Sequence, residues 1–172
     1  MTMGELNTRE QAFSNMFTTE ELQTVEAIRA RYPTSLAALM PVLHFYQDKY
    51  QYVSLEGMQY ISRLLDVPVE HILGVVTFYE MYHEHPLGKF NLQVCTNVSC
   101  LLRDSDMVLD VIRKKLGIGP GETTADKKFT VHEAECLGSC GTAPMMSVNK
   151  DYHENLTREN VSTLIDQLLA TT

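Results

Sequence analysis

Phe90-Asn-Leu-Gln-Val-Cys95-Thr-Asn-Val-Ser-Cys100 and Phe129-Thr-Val-His-Glu-Ala-Glu-Cys136-Leu-Gly-Ser-Cys140 decide how this chain is read. In each, an alternating apolar pattern predicts a strand, and the strand runs into a pair of cysteines spaced C-x4-C or C-x3-C. These are the only 4 cysteines in the sequence. Strands that end in loops bring such pairs to one end of a sheet, where four thiolates can hold a [2Fe–2S] cluster, two sulfurs to each iron. Three other readings stay open. Free cysteines pack as small hydrophobes. Disulfides need an oxidising compartment. A structural zinc ion also takes four cysteines, although its knuckles are usually C-x2-C, and the wider spacings here suit a broader two-iron rhomb.

Working outward, a helix is expected from about Leu101 to Leu116, with Val108, Leu109, Ile112 and Leu116 inward. Cys100 then lies at or near its N-terminus, where free N–H groups favour negative charge. Gly117-Ile-Gly-Pro-Gly121 resembles a dinucleotide fingerprint. It follows a helix and precedes a strand, the reverse of what that motif needs, so it reads as a C-cap and turn, and no nucleotide site is expected here. Gly138 and Gly141 flank Cys140 and let the backbone bend around a cluster, their amides available to its sulfurs. His132, four residues before Cys136, makes a mixed His/Cys ligand set conceivable, although four cysteines already suffice. After Pro144 come a strand over Met145–Val148, a turn at Asn149-Lys-Asp151, and a strand over Tyr152–Leu156. Thr157 then caps a last helix with Val161, Leu164, Ile165, Leu168 and Leu169 on one face. Strand, helix, three strands and helix make a small mixed α/β sheet of thioredoxin-like layout without the C-x-x-C dithiol.

Residues before Lys89 read as four short helices. Thr18 and Glu21 form a capping box, with Phe17 and Leu22 as staple and Val25 and Ile28 on the stripe. From Ser35, Leu36, Leu39, Leu43, Tyr46 and Tyr50 recur at helical steps, with a kink or a fresh start at Pro41. Ser54 caps a third helix (Met58, Ile61, Leu65 inward). Pro68 opens a fourth, with Ile72, Val75, Val76 and Tyr79 buried. The aromatic run Thr77-Phe-Tyr-Glu-Met-Tyr82 reads as core or interface, and His83 and His85 as solvated loop residues. The expected organisation is a flexible tail at 1–16, a helical domain at 17–86 and a thioredoxin-like domain at 87–172.

A formal charge of −8 argues against nucleic-acid binding. No apolar run is long enough to span a bilayer, and the N-terminus lacks a secretory or transit pattern, so a cytoplasmic location is expected.

Cys95-x4-Cys100, Leu116-Gly-Ile-Gly-Pro-Gly-Glu-Thr-Thr124, Asp126-Lys-Lys-Phe-Thr130, Glu135-Cys-Leu-Gly-Ser-Cys140 with Ala143-Pro144, and Val76-Thr-Phe-Tyr79 together resemble the E subunit of bacterial NADH:quinone oxidoreductase (complex I). The resemblance implies a thioredoxin-like [2Fe–2S] ferredoxin behind a helical bundle, with Cys95, Cys100, Cys136 and Cys140 as cluster ligands. It implies no complete active site on this chain. It also implies an F-subunit partner that carries FMN, NADH and a [4Fe–4S] cluster, with the G subunit in the same peripheral arm. Equivalent modules occur in NAD-linked hydrogenases and formate dehydrogenases, and a zinc-stabilised interaction module is the non-redox alternative. Asp104 departs from the glycine that often follows the arginine corresponding to Arg103. A carboxylate there is expected either to disfavour a reduced cluster or to neutralise a basic group on the partner.

Overall fold

The structure is a computed structural model that describes residues 16–171. The tail expected at 1–16 falls outside the described residues except for Met16. The chain divides into two compact units between Pro86 and Leu87.

The first unit contains α1 (Thr19–Arg29), α2 (Leu39–Tyr50), α3 (Leu55–Leu65) and α4 (Val69–Phe78). Local chemistry sets their ends. The Thr18–Glu21 capping box is complete, and Ser54 Oγ accepts from the Gly57 N–H. Pro68 sits one residue outside α4, at its N-cap. The second helix starts later than its apolar pattern suggests. Residues 35–38 form turns, Leu36 is exposed, and Pro41 falls in the first turn of α2, where a missing N–H costs nothing. Leu39, Leu43, Tyr46, Ile61, Leu65 and Ile72 fill the core. Helix–helix packing is closest at Gly57, where any added Cβ would collide with the Tyr46 ring.

The second unit contains β1 (Phe90–Cys95), α5 (Val98–Leu102), α6 (Ser105–Leu116), β2 (Phe129–Ala134), a 3-10 turn (Cys140–Thr142), β3 (Met146–Val148), β4 (Asp151–His153) and α7 (Arg158–Ala170). The sheet order is β2-β1-β3-β4, with β1 and β2 parallel and the other neighbours antiparallel. One face carries Leu92, Val94, Phe129, Val131, Met146 and Val148, and it packs with Val108 and Ile112 of α6 and Val161 and Ile165 of α7. The other face is polar, yet Asn91, Thr130 and Ser147 on it are also buried. β1 is therefore covered on both sides, although its alternation predicts only one.

Several boundaries and one burial in this unit differ from the sequence reading. The single helix expected from Leu101 is two, because Asp104 takes a left-handed conformation (φ 69°, ψ 48°) and breaks the run between α5 and α6. The hairpin turn is two residues, Asn149-Lys150, with Asn149 at φ 56°, and Asp151 already pairs with Val148. β4 ends at His153, so buried Leu156 lies beyond it. Leu169 of α7 is exposed rather than packed. Thr157 and Asn160 cap α7 at its start, and Lys128 Nζ donates to the carbonyls of Leu169 (2.7 Å) and Thr171 (2.6 Å) at its end.

The outer edge of β2 is not bare. The Gly121 N–H donates to Val131 O (2.8 Å), the Val131 N–H to Glu122 O (3.0 Å) and the Thr124 N–H to Phe129 O (2.9 Å), so the loop after α6 runs back along the strand. At the start of β1, Gly88 lies against the backbone of Phe129, and its N–H donates to Thr130 Oγ1 (2.6 Å). No helix among the described residues is long and apolar enough to cross a membrane.

Candidate functional site

Parallel pairing places the two cysteine turns. Cys95, the last residue of β1, stands level with Ala134, the last residue of β2, so the chain leaves both strands at the same rim. Two backbone bonds fix that rim across three strands. The Cys95 N–H donates to Met145 O (3.2 Å) and the Thr96 N–H to Ala134 O (3.1 Å). Asn97 then caps α5, its Oδ1 accepting from the Val98 N–H (2.9 Å). Cys100 is the third residue of that five-residue helix. The long helix expected to present its N-terminus at Cys100 begins only at Ser105, so a strong helix dipole at this cysteine is absent.

The second turn leaves β2 through Glu135. Cys136 and Cys140 are exposed, whereas Cys95 and Cys100 are buried and pack with Ala143, Met145 and, partly, Leu137. The site thus has an apolar floor and an open lip. All four cysteines are free thiols. Burial is the first cause that pushes the Cys100 thiol above the ordinary cysteine range. A hydrogen bond with the Cys95 thiol and the negative potential of Cys95 and Cys140 add to it, and a bond from the Met145 backbone opposes it. Cys95 and Cys100 share one buried cluster with Ala143 and Met145, the residues on either side of Pro144. Cys136 Sγ accepts from the Gly138 N–H at 3.4 Å, and Gly138 reaches that position at φ 77°. Among the described residues no three His, Cys, Asp or Glu side chains stand gathered where they could hold a metal ion.

His132 lies further back from the rim, level with Gln93 on β1, and is half-buried. Burial holds its imidazole below the ordinary value, which favours the neutral form. His83 is half-buried rather than fully solvated, and its N–H donates to Gln47 Oε1 (2.8 Å), while His85 is exposed. In the aromatic run, Tyr82 is core and bonds Met40 O (3.0 Å), whereas Phe78, Tyr79 and Met81 are exposed. Tyr79 therefore does not belong to the buried face of α4.

The sequence reading missed what holds the second turn. Residues 152–156 run beside residues 137–144. Tyr152 Oη donates to Leu137 O (2.9 Å). The Glu154 carboxylate accepts from the hydroxyls of Ser139 and of Thr142, the latter at 2.6 Å. The N–H groups of Asn155 and Leu156 donate to Thr142 O (2.7 Å) and Pro144 O (2.9 Å). The two hydroxyls hold the Glu154 carboxyl below the usual carboxylate range. Ser139 and Thr142 flanking Cys140 were a visible signal, but their acceptor is remote in sequence.

A small mixed sheet with both cysteine turns at the ends of its parallel pair defines a class of protein. The chain belongs to the thioredoxin-like [2Fe–2S] ferredoxin family, whose model matches residues 25–169. Within it, the chain is 36% identical over 167 residues to the E subunit of the NADH-quinone oxidoreductase of Rickettsia typhi, covering 95% of this chain and 98% of that protein. It is 38% identical over 148 residues to the E 2 subunit of the NADH-quinone oxidoreductase of Rhizobium meliloti, covering 86% and 88%. Among solved structures, NAD+-reducing [NiFe]-hydrogenase in the air-oxidized state superposes with a TM-score of 0.67 at 20% identity. That match covers 77% of this chain and 23% of the hydrogenase chain, and it speaks for the fold alone. The family's group is a [2Fe–2S] cluster, and the residues present fit it. Free thiols come in two pairs from two turns at one rim, over an apolar floor, with backbone N–H groups already donating to sulfur.

Proposed function

We propose that this chain is an electron-transfer subunit of an NADH–quinone oxidoreductase, with Cys95, Cys100, Cys136 and Cys140 holding one [2Fe–2S] cluster. The observation that carries the reading is that Cys95 ends β1 level with Ala134 at the end of β2, so both cysteine turns leave the parallel strands at one rim. The cluster, when bound, supplies one-electron chemistry. The chain's own residues do the rest. Cys95 and Cys100 present buried thiolates from a rigid strand end and a capped turn, and Ala143 and Met145 exclude water from that side. The N–H groups of Gly138 and Met145 donate to cysteine sulfur and would ease the negative charge of a reduced cluster held there. Exposed Cys136 and Cys140 form the side nearest a partner.

The electron donor in this reading is FMN, reduced by NADH, on a partner F subunit, with the G subunit nearby, and the chain works as a cytoplasmic peripheral part of the complex. In this reading the hydride chemistry belongs to NADH and FMN on the partner. The near-full-length identity to quinone oxidoreductase subunits favours that host over the hydrogenase, whose likeness is one of fold.

The test is anaerobic reconstitution of the full chain with iron and sulfide. The expected product is brown, holds about two irons and two sulfides per chain and gives a spin-half EPR signal after one-electron reduction. Cys100→Ser abolishes that spectrum. A colourless protein that takes one zinc ion instead sinks the proposal. Co-purification of F and G subunits from the native source identifies the host.

A further inference from the structure

We infer that the segment after β3, Tyr152 to Leu156, is a brace that holds the Cys136–Cys140 loop in ligand-ready geometry, with Glu154 and Tyr152 as positioning residues. The inference deepens the cluster reading above and rests on it for its second readout.

The loop needs such a brace. It carries two of the four cysteines, both exposed, and it lacks regular structure except for the single 3-10 turn at Cys140–Thr142. Exposed loops with few buried contacts are the first parts of a protein to open. An iron site whose ligands wander loses its metal, because ligand geometry is set by the atoms behind the ligands. Here those atoms come from one strip of chain. Tyr152 grips the loop beside Cys136 through Leu137 O, and Glu154 grips both sides of Cys140 through Ser139 and Thr142. Asn155 and Leu156 secure the exit with backbone bonds to Thr142 and Pro144. The bonds fall in order along both strands of chain, so the segment works like a short ladder. The strip is itself anchored, since Tyr152 pairs with Ser147 in the sheet and Leu156 is buried in the core. Glu154 is the central member. Its carboxylate accepts both hydroxyls, and charge-assisted bonds of this kind are about twice as strong as neutral ones.

The experiment uses the full chain as wild type, Glu154→Ala, Glu154→Gln and Tyr152→Phe. Hydrogen–deuterium exchange of residues 136–142 is measured without iron, and the rate of cluster loss to a strong iron chelator is measured after reconstitution. Glu154→Ala is expected to speed both by roughly tenfold, the loss of about one strong hydrogen bond. Glu154→Gln keeps an acceptor oxygen and stays within about threefold of wild type. Tyr152→Phe, which deletes one oxygen, falls between and keeps the test decisive if Glu154→Ala does not fold. Wild-type behaviour of both Glu154→Ala and Tyr152→Phe overturns the brace. So does a Gln variant as fast as the Ala variant, since it would retain both the side-chain length and an acceptor oxygen without holding the loop. If the wild-type chain takes up no iron, the cluster reading falls, while the exchange data still decide whether the brace exists.

Discussion

Gly88→Ala tests whether the site depends on the close approach of β1 to β2. A methyl group at residue 88 would stand 2.7 Å from the Phe129 carbonyl carbon and 2.8 Å from its nitrogen. Those are backbone atoms of a paired strand and cannot swing aside as a side-chain tip can. Relief requires residues 87–89 to lift off β2. That motion strains the Gly88 N–H bond to Thr130 Oγ1 and the bonds from Lys89 and Phe90 N–H to the carbonyls of Lys127 (3.0 Å) and Lys128 (2.8 Å). Overpacking costs about 1–3 kcal/mol and each weakened hydrogen bond about 1 kcal/mol, so a loss of about 2–4 kcal/mol is expected. With a urea slope of about 2 kcal/mol/M, the midpoint of the second unit drops by about 1–2 M. The assay is urea-dependent hydrogen exchange of β1 and β2 amides, with the amides of α2 and α3 in the other unit as an internal reference. A variant within about 0.5 kcal/mol of wild type, at the noise level of surface substitutions, would refute the steric argument.

Other outcomes follow from the same reasoning. Gly57→Ala drives a methyl into the buried Tyr46 ring and should cost the helical unit about 1–3 kcal/mol, read from its thermal or urea transition. Asp104→Gly relieves a left-handed aspartate and should stabilise the second unit by less than about 1 kcal/mol, part of the gain being lost to the looser unfolded chain. It should also make reduction of the bound cluster slightly easier, measured by potentiometric titration. His132 is held neutral by burial, so the unfolded chain takes up that proton first. Its stabilising contribution is complete above the ordinary imidazole value of about 6.5 and is lost as pH falls through it, towards the lower folded value. His132→Gln should flatten the stability profile of the second unit across that window, measured by urea unfolding at a series of pH values.

Features set by neighbours in sequence were readable in advance. Thr18 with Glu21, Ser54, and Thr157 each announce a helix start because a cap and its N–H partner are three residues apart. The cysteine pairs were legible for the same reason. Breaks without a local signal were not. Leu101 to Leu116 keeps helical spacing throughout, and nothing in Arg103-Asp104 resembles a glycine stop, yet the backbone turns left-handed there. Glycine takes that conformation without strain, whereas aspartate adopts it only at a cost. Pro41 was a readable signal of the other kind, since of the two outcomes it allowed, a kink or a fresh start, the helix takes the second and begins two residues before it. Burial of the polar face of β1 and the grip of Glu154 on Ser139 and Thr142 depend on contacts across the fold, which periodicity does not carry.

The return of Gly121–Thr124 along the outside of β2 has a consequence for how this unit can meet other proteins. On that side the row of amide and carbonyl groups is already occupied by the chain itself, and on the opposite side β4 offers only Asp151–His153. A visiting polypeptide finds little to extend the sheet with. Association with a larger assembly must therefore work through side-chain surfaces and shape, which also spares the unit the edge-to-edge stacking that exposed sheets invite.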